Sequence, residues 1–275
     1  FHQVDRMPLS RNSNLKARGE KTTISLHRAI SLLNVLAERG EIGLSDLARS
    51  AELPKATVHR LLSTLSKAQL SSFEPVSERY RLGPRVLSWA DKMVNSDELR
   101  LRSRTRLEQL SVETQESVGL VERLQNDSVC IMAVHSFHEL RVAVRVGVPR
   151  PLYVGAPGKV LMAYLPEHEI RQALQKSSQK VSSPAALVKQ LQSIKTRGFG
   201  SSSGESVPGL YSLAVPILDQ WGRPRASLAL YAPDSRVSAA REKQWLALLR
   251  KAATELQAVL VHSGHSVSSS SPVAA

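Results

Sequence analysis

Residues 44–70 decide the fold of the N-terminal part of the chain, and their sequence is LSDLARSAELPKATVHRLLSTLSKAQL. Pro54 suits the first turn of a helix, where a missing N–H costs nothing. Two helices joined by a very short turn are therefore predicted. Apolar side chains recur at helical spacing in both halves of the stretch, namely at Leu44, Leu47 and Ala48 and then at Val58, Leu61, Leu62 and Leu65.

The second helix has a polar face opposite its apolar side. Small residues and long hydrogen-bond donors form this face, namely Lys55, Ala56, Thr57, His59, Arg60, Ser63 and Lys67. Such a surface suits insertion into the DNA major groove, where donors reach base edges and phosphates. A plain pair of helices with a solvated polar face is the alternative, because short helix pairs are common.

The flanking segments favour a winged helix-turn-helix over residues 23–84. Residues 24–38, ISLHRAISLLNVLAE, predict an amphipathic helix before the pair. Residues 71–84, SSFEPVSERYRLGP, predict a β-hairpin whose return strand carries Arg79 and Arg81, and we expect both arginines to contact DNA. Helix, helix, recognition helix and hairpin, in this order, are typical of that DNA-binding motif.

Composition agrees with a nucleic-acid partner. The 275 residues are enough for two ordinary domains, and the formal net charge of +13 favours an anionic partner, nucleic acid first and a membrane surface second. The single cysteine, Cys130, excludes a disulfide within the chain and fits a reducing compartment. The reducing compartment indicates the cytoplasm, and since no stretch reaches the roughly eighteen apolar residues of a membrane span, we expect no membrane partner.

The rest of the chain divides by composition and periodicity. Residues 1–22 predict a disordered basic arm and residues 263–275 a disordered tail. Residues 85–106 are predicted to form a linker helix region. Residues 107–262 contain strands flanked by helices without regular βαβ alternation, which indicates an α+β domain.

Two segments of this second domain carry the most information. Residues 140–146, LRVAVRV, alternate apolar and other side chains, which predicts a strand. Residues 151–165, PLYVGAPGKVLMAYL, change into a helix at about Pro157. A strand that passes through glycine into a helix N-terminus offers N–H groups to a carboxylate or phosphate. The alternative is that Gly155 and Gly158 only form a tight turn.

Signatures of catalysis or metal binding are weak. Ser212 lies in GLYSLAV rather than in a G-x-S-x-G motif, and GAPGK lacks the spacing of a phosphate-binding loop. Two histidine pairs, at 135/138 and 262/265, have no third ligand nearby in sequence. We therefore expect no enzyme, no metal and no cofactor. A hydrolase or transferase with an appended DNA-binding domain is one alternative, and a scaffold whose second domain only oligomerises is another.

Residues 24–262 resemble the IclR family of bacterial transcription regulators. The matching stretches, in chain order, are SLHRAISLLNVLAE, LSDLARSAELPKATVHRLLSTL, YRLGPRVL, PLYVGAPGKVLMAYL, RGFGSSSGESVPGL and LAVPILDQWGRPRASLALYAP. The resemblance implies a double-stranded DNA operator as partner and a C-terminal GAF-like domain that binds a small effector. It also implies homo-oligomers, with dimers formed through the DNA-binding domains and tetramers through the effector domains.

The effector contacts of the family can be carried over by position. They fall on Ala156, Pro157, Ser202, Leu210, Ser212, Ala229 and Tyr231. Members that bind small keto acids place serines at the last two of these positions, where this sequence has Ala229 and Tyr231, so this departure points to a bulkier or aromatic carboxylate as effector. The predicted function is an effector-responsive repressor or activator of transcription.

A second departure from the family lies in the turn before the recognition helix. Glu52 stands there, where glycine is usual in the family. A left-handed backbone at this position costs a non-glycine residue about 1 kcal/mol.

Overall fold

The structure is a computed structural model that describes residues 23–95, 97–175 and 183–263. The predicted basic arm, residues 1–22, and residues 264–275 of the predicted tail lie outside these ranges. The chain forms two compact units, and the boundary between them follows Lys92. No helix in the described ranges is long and apolar enough to cross a lipid bilayer.

The first unit is a winged helix-turn-helix. Its helices are α1 (Ile24–Arg39), α2 (Leu44–Ser50) and α3 (Lys55–Lys67), and its strands are β1 (Ile42–Gly43), β2 (Ser71–Glu74) and β3 (Arg79–Leu82). Strand β3 lies between β1 and β2 and is antiparallel to both, so β2 and β3 form the wing. The apolar faces predicted from sequence form one buried core, which includes Leu32, Leu36, Leu47, Val58, Leu62 and Leu65.

The turn between α2 and α3 keeps a left-handed residue although glycine is absent. Glu52 has a φ of 54°. The backbone N–H of Leu53 donates to the carbonyl of Ala48 at 3.0 Å and closes the turn. The chain therefore tolerates the steric cost of a Cβ at this position.

Helix α4 (Arg85–Asn95) leads to α5 (Glu98–Thr114), and the Asp97 side chain caps α5 by accepting a hydrogen bond from the Leu99 N–H at 2.8 Å. Leu99 and Leu107 of α5 are buried in the core of the second unit. The structure thus packs α5 with the second unit from its first turn, although the sequence assigned residues up to 106 to a linker. The arginines of α5 made this helix look solvent-exposed in the sequence. Arg106 is nevertheless buried, and it forms ion pairs with Glu113 and Glu255.

The second unit is built on one six-stranded antiparallel sheet. Its order is β6-β5-β4-β9-β8-β7, and the α+β class predicted from sequence is confirmed. The strands are β4 (Ser117–Leu124), β5 (Asp127–Val134), β6 (Pro149–Pro151), β7 (Gly200–Ser203), β8 (Leu210–Leu218) and β9 (Pro224–Pro233). The helices are α6 (Gly155–Ala163), α7 (Glu167–Gln175), α8 (Pro184–Arg197) and α9 (Ala239–Ser263).

Alternating side chains of this sheet enter two separate apolar clusters. Leu213 of β8 and Leu228 of β9 belong to the cluster that includes residues of α5 and α9. Ala214 and Ala229, one residue further along each strand, belong to the cluster that includes residues of α6 and α8. The period-two alternation of both strands therefore serves two cores, one on each face.

The prediction of a strand over residues 140–146 is wrong. Leu140 is a bend, residues 141–145 are coil and Val146 begins a turn, and regular pairing resumes only at β6. Side chains hold the segment in place: Ser117 Oγ donates to the Val142 carbonyl at 2.8 Å, and His135 Nε2 lies 3.1 Å from the Val144 carbonyl. The alternating pattern thus reflects a coil with one face towards the protein and one towards solvent.

Candidate nucleic-acid interface and effector pocket

Helix α3 presents the predicted DNA-binding face to solvent. Thr57 is half-buried, and the other predicted residues on the helix are exposed: Lys55, Ala56, His59, Arg60, Ser63 and Lys67. Val58, Leu62 and Leu65 on the opposite face are buried. Helix α3 contains no acidic residue, so its outward face is basic along its length.

The wing carries the two predicted arginines on β3. Arg81 forms an ion pair with Glu41 at 3.2 Å, and Arg79 Nη1 lies 3.5 Å from the Glu41 carbonyl. Both guanidinium groups thus hold the wing to the residues before β1. Because an exposed pair of this kind contributes less than about 1 kcal/mol, a DNA phosphate can compete for Arg81. The wing tip ends in Val76, which is 94% exposed.

A cavity of about 460 Å³ lies in the second unit, within the size range of small-molecule sites. One wall is the sheet, through Cys130, Ser212 and Tyr231, and a second wall is the start of α6. Two further walls are the coil at residues 140–145 and the loop at residues 206–210. Val121, Leu140, Val142, Val144, Val148, Val154, Val207, Pro208 and Leu210 make the lining mainly apolar.

The entry of α6 is closed by hydrogen bonds that the chain makes with itself. The Gly155 N–H donates to Glu205 Oε2 at 3.0 Å, and Glu205 Oε1 pairs with Lys159 Nζ at 2.5 Å. The Ala156 N–H lies 3.1 Å from Ser202 Oγ and 3.2 Å from Ser212 Oγ. We call these residues the helix-entry cluster: Gly155, Ala156, Lys159, Ser202, Glu205 and Ser212.

The two glycines at this entry are required by backbone geometry. Gly155 has a φ of 77°, and a Cβ on Gly158 would lie 2.5 Å from the Leu152 carbonyl oxygen. Both alternatives considered from the sequence, a tight turn and an anion-binding helix N-terminus, are therefore present. The glycines form a tight turn, and a carboxylate occupies the helix N-terminus, but that carboxylate belongs to Glu205.

The structure brings four of the seven predicted effector residues to the cavity, namely Pro157, Leu210, Ser212 and Tyr231. Ala156 and Ser202 belong to the helix-entry cluster and are not among the residues that line the cavity. Ala229 is fully buried between strands, opposite Gly119. The ring of Tyr231 covers Gly119, since a Cβ on that glycine would lie 3.6 Å from the ring.

Burial shapes the chemistry of the two titratable groups on the sheet wall. It raises the pKa of the Tyr231 hydroxyl and raises the pKa of the Cys130 thiol to about 11. Both groups are therefore protonated at neutral pH, and the Cys130 thiol donates to the Met132 carbonyl. Within the described ranges, no group of three or more histidine, cysteine or acidic residues is arranged to hold a metal ion.

Sequence reasoning missed the coil at residues 140–145 and Arg150 as parts of the cavity wall. The alternating pattern of the coil predicts a paired strand with Arg141, Ala143 and Arg145 on one face, and a strand prediction does not place that face beside a cavity. The sequence feature that could have indicated this wall is the alternation of arginine and valine in RVAVRVG, shortly before the Pro-Arg-Pro of β6.

A helix-turn-helix joined to a cavity-bearing α+β domain defines a DNA-binding transcription regulator with an effector-binding domain. Residues 25–70 match the IclR helix-turn-helix domain, and residues 91–258 match the family described as "Bacterial transcriptional regulator IclR C-terminal". The chain belongs to the IclR family of bacterial transcription regulators, which are not enzymes.

Similar proteins support the assignment over most of the chain. The sequence is 30% identical over 247 residues to the HTH-type transcriptional regulator KdgR of Escherichia coli (strain K12), covering 85% of this chain and 91% of that protein. The transcriptional regulator RHA06195 from Rhodococcus sp. RHA1 has a similar structure, with a TM-score of 0.75 and 26% sequence identity. The match covers 87% of this chain and 98% of that protein. An IclR homolog from Microbacterium hydrocarbonoxydans, complexed with 4-hydroxybenzoate, shares the fold with a TM-score of 0.71 and 22% sequence identity. The match covers 86% of this chain and 99% of that protein.

Proposed function

We propose that this regulator is an effector-responsive repressor that acts in the cytoplasm, where it binds a palindromic operator as a homo-oligomer. A small organic acid with a bulky or aromatic body binds the cavity and changes the affinity for the operator. The observation that carries this proposal is an apolar cavity of about 460 Å³ in the same chain as an exposed basic recognition helix.

The cavity favours an effector with a substantial apolar body. Tyr231, Leu210 and Val207 supply apolar or aromatic surface, and Ser212 supplies a hydroxyl. A small keto acid would leave most of this surface in contact with water, whereas an aromatic ring can pack against Tyr231.

The DNA contacts are proposed for α3 and the wing. Arg60 lies in the middle of the exposed face and suits bidentate binding to guanine, while Lys67 in the last turn suits a phosphate. Lys55, Ala56, Thr57, His59 and Ser63 complete the base-facing surface, and Arg79 and Arg81 contact the backbone from the wing.

Exposed apolar side chains support self-association. Leu87 and Trp89 of α4 are largely exposed, as are Ile24 and Leu26 of α1. Such surface is costly to leave in water. A dimer that covers it would present two recognition helices to two half-sites, and pairing of dimers would produce a tetramer.

Regulation then follows from linkage. An effector that binds one arrangement of the oligomer more tightly shifts the population towards that arrangement. If that arrangement spaces the recognition helices differently from the operator half-sites, DNA affinity falls by the same coupling free energy.

The test begins with DNA selected by the full-length protein from a random-sequence library. We expect the selected sites to contain two inverted half-sites about one helical turn apart, or a multiple of it. Fluorescence anisotropy would then measure how aromatic and aliphatic acids change the affinity for that DNA. Selected DNA without symmetry, bound by a monomer in ultracentrifugation, would contradict the oligomer. Operator affinity unaffected by every acid that binds would contradict the regulatory role.

A further inference from the structure

Three arginines line the cavity on its coil side. Arg141 and Arg145 belong to the coil at residues 140–145, and Arg150 belongs to β6. All three residues are exposed to solvent while also contributing to the cavity lining. We call them the cavity arginines.

The cavity arginines differ from most other arginines of the second unit in their partners. Eight arginines among the described residues of this unit form ion pairs with carboxylates, namely Arg100, Arg102, Arg106, Arg123, Arg171, Arg223, Arg225 and Arg236. Among the described residues, the guanidinium groups of the cavity arginines make one hydrogen bond, which Arg141 donates to the His138 carbonyl at 3.4 Å. Three positive charges without an acidic partner thus share one opening, which raises the local potential.

The other anion-binding feature of the cavity is already in use. The Gly155 N–H donates to Glu205, and the Ala156 N–H donates to the serine hydroxyls of Ser202 and Ser212. Pro157 has no N–H to offer. A ligand carboxylate at the α6 N-terminus would have to displace Glu205, which also neutralises Lys159. The cavity arginines need no such displacement.

We propose that the cavity arginines bind the acidic group of the effector, with its apolar body directed inward towards Tyr231. This inference rests on the proposed function and adds the position of the acid group. A guanidinium offers a planar pair of N–H donors that matches a carboxylate. Burial raises the pKa of the Tyr231 hydroxyl, and the positive charge of Arg150 acts against that rise.

Isothermal titration calorimetry with acids and their neutral amides tests the assignment. The probes are benzoate, 4-hydroxybenzoate and cinnamate, each beside its primary amide. With the wild-type protein we expect at least one acid to bind about tenfold more tightly than its amide, because a charge-assisted hydrogen bond is lost in the amide. The Arg145→Gln and Arg150→Gln variants should each remove most of this difference and leave amide affinity unchanged.

Arg171→Gln is the matched control. It removes the same charge from an exposed ion pair with Glu167 on α7, outside the cavity lining. We expect it to bind each acid as the wild type does. An equal loss in this control would assign the effect to overall charge and overturn the proposal.

Further outcomes separate this inference from the proposed function. Acids that bind no better than amides, or no binding by any probe, would overturn the role of the cavity arginines. Loss of acid affinity in Ser212→Ala but not in Arg145→Gln would place the acid at the helix-entry cluster and overturn it as well. If neutral amides bind and still change operator affinity, the proposed function stands while this inference falls.

Discussion

Replacing Glu205 with glutamine is expected to destabilise the second unit by about 3 kcal/mol, far more than replacing its partner Lys159 with methionine. The reason is an asymmetry in burial. The side chain of Lys159 is 5% exposed, whereas that of Glu205 is 32% exposed. Glu205→Gln leaves a positive charge inside the protein without a counter-charge, and removing one member of a buried pair costs about 3–5 kcal/mol. The lower end applies because Glu205 is partly solvated.

Lys159→Met removes the buried charge itself. Methionine retains the apolar length of the lysine stem, and Glu205 keeps its hydrogen bond from the Gly155 N–H and its contact with water. We expect this variant to cost about 1 kcal/mol or less. The double variant should resemble Lys159→Met, because the neutral amide introduced by Glu205→Gln then faces no unpaired charge.

Urea unfolding followed by the fluorescence of Trp245 measures these differences. Trp245 is 3% exposed and donates to the Thr114 carbonyl, so a change in its emission reports unfolding of the second unit; Trp221 is already 67% exposed, and Trp89 lies in α4. A double-mutant cycle would give the coupling between the two residues. If Lys159→Met destabilises as much as Glu205→Gln, or if the two effects add, the asymmetry of burial does not control this site.

Three further predictions concern DNA binding, the cavity and the turn before α3. Arg60→Ala should weaken operator binding by about 1–3 kcal/mol, while Lys67→Ala should weaken specific and nonspecific binding alike and reduce the salt dependence by about one charge. Unchanged DNA binding in both variants would refute the assignment of the exposed face of α3 to DNA. Tyr231→Ser should weaken an aromatic acid by about 0.5–1.5 kcal/mol in calorimetry while leaving effector-free DNA binding unchanged; an equal drop in melting temperature with every ligand and with none would identify ordinary core instead. Glu52→Gly should stabilise the first unit by about 1 kcal/mol in thermal unfolding because Glu52 has a φ of 54°; Glu52→Ala is the control, and an equal gain from it would exclude backbone strain as the cause.

The sequence by itself determined the winged helix-turn-helix of the first unit and the α+β class of the second. Regular spacing of apolar residues predicted α1, α2 and α3, and strands flanked by helices without βαβ alternation indicated the α+β class of the second unit. Such patterns succeed because each residue of a helix or paired strand has its face set by local geometry. The outward position of Arg60 follows from the inward position of Val58 and Leu62 in the same way.

The coil at residues 140–145 shows where local pattern fails. Its alternation is as regular as that of a strand, but strand pairing depends on a partner edge that the local sequence does not encode. A hydrogen bond from Ser117 and a contact with His135 hold the coil in place instead. As a result, Arg141 and Arg145 border a cavity rather than a sheet surface.

The composition of the effector site was likewise decided only by tertiary structure. Glu205 and Lys159 are 46 residues apart in the chain, so no spacing rule predicted that this carboxylate caps α6 and pairs with a buried amine. The same long-range packing buries Ala229 between strands while Tyr231, two residues along, reaches the cavity. Sequence indicates which residues share a face, but contacts between distant segments determine what that face meets, because they depend on the packing of the whole domain.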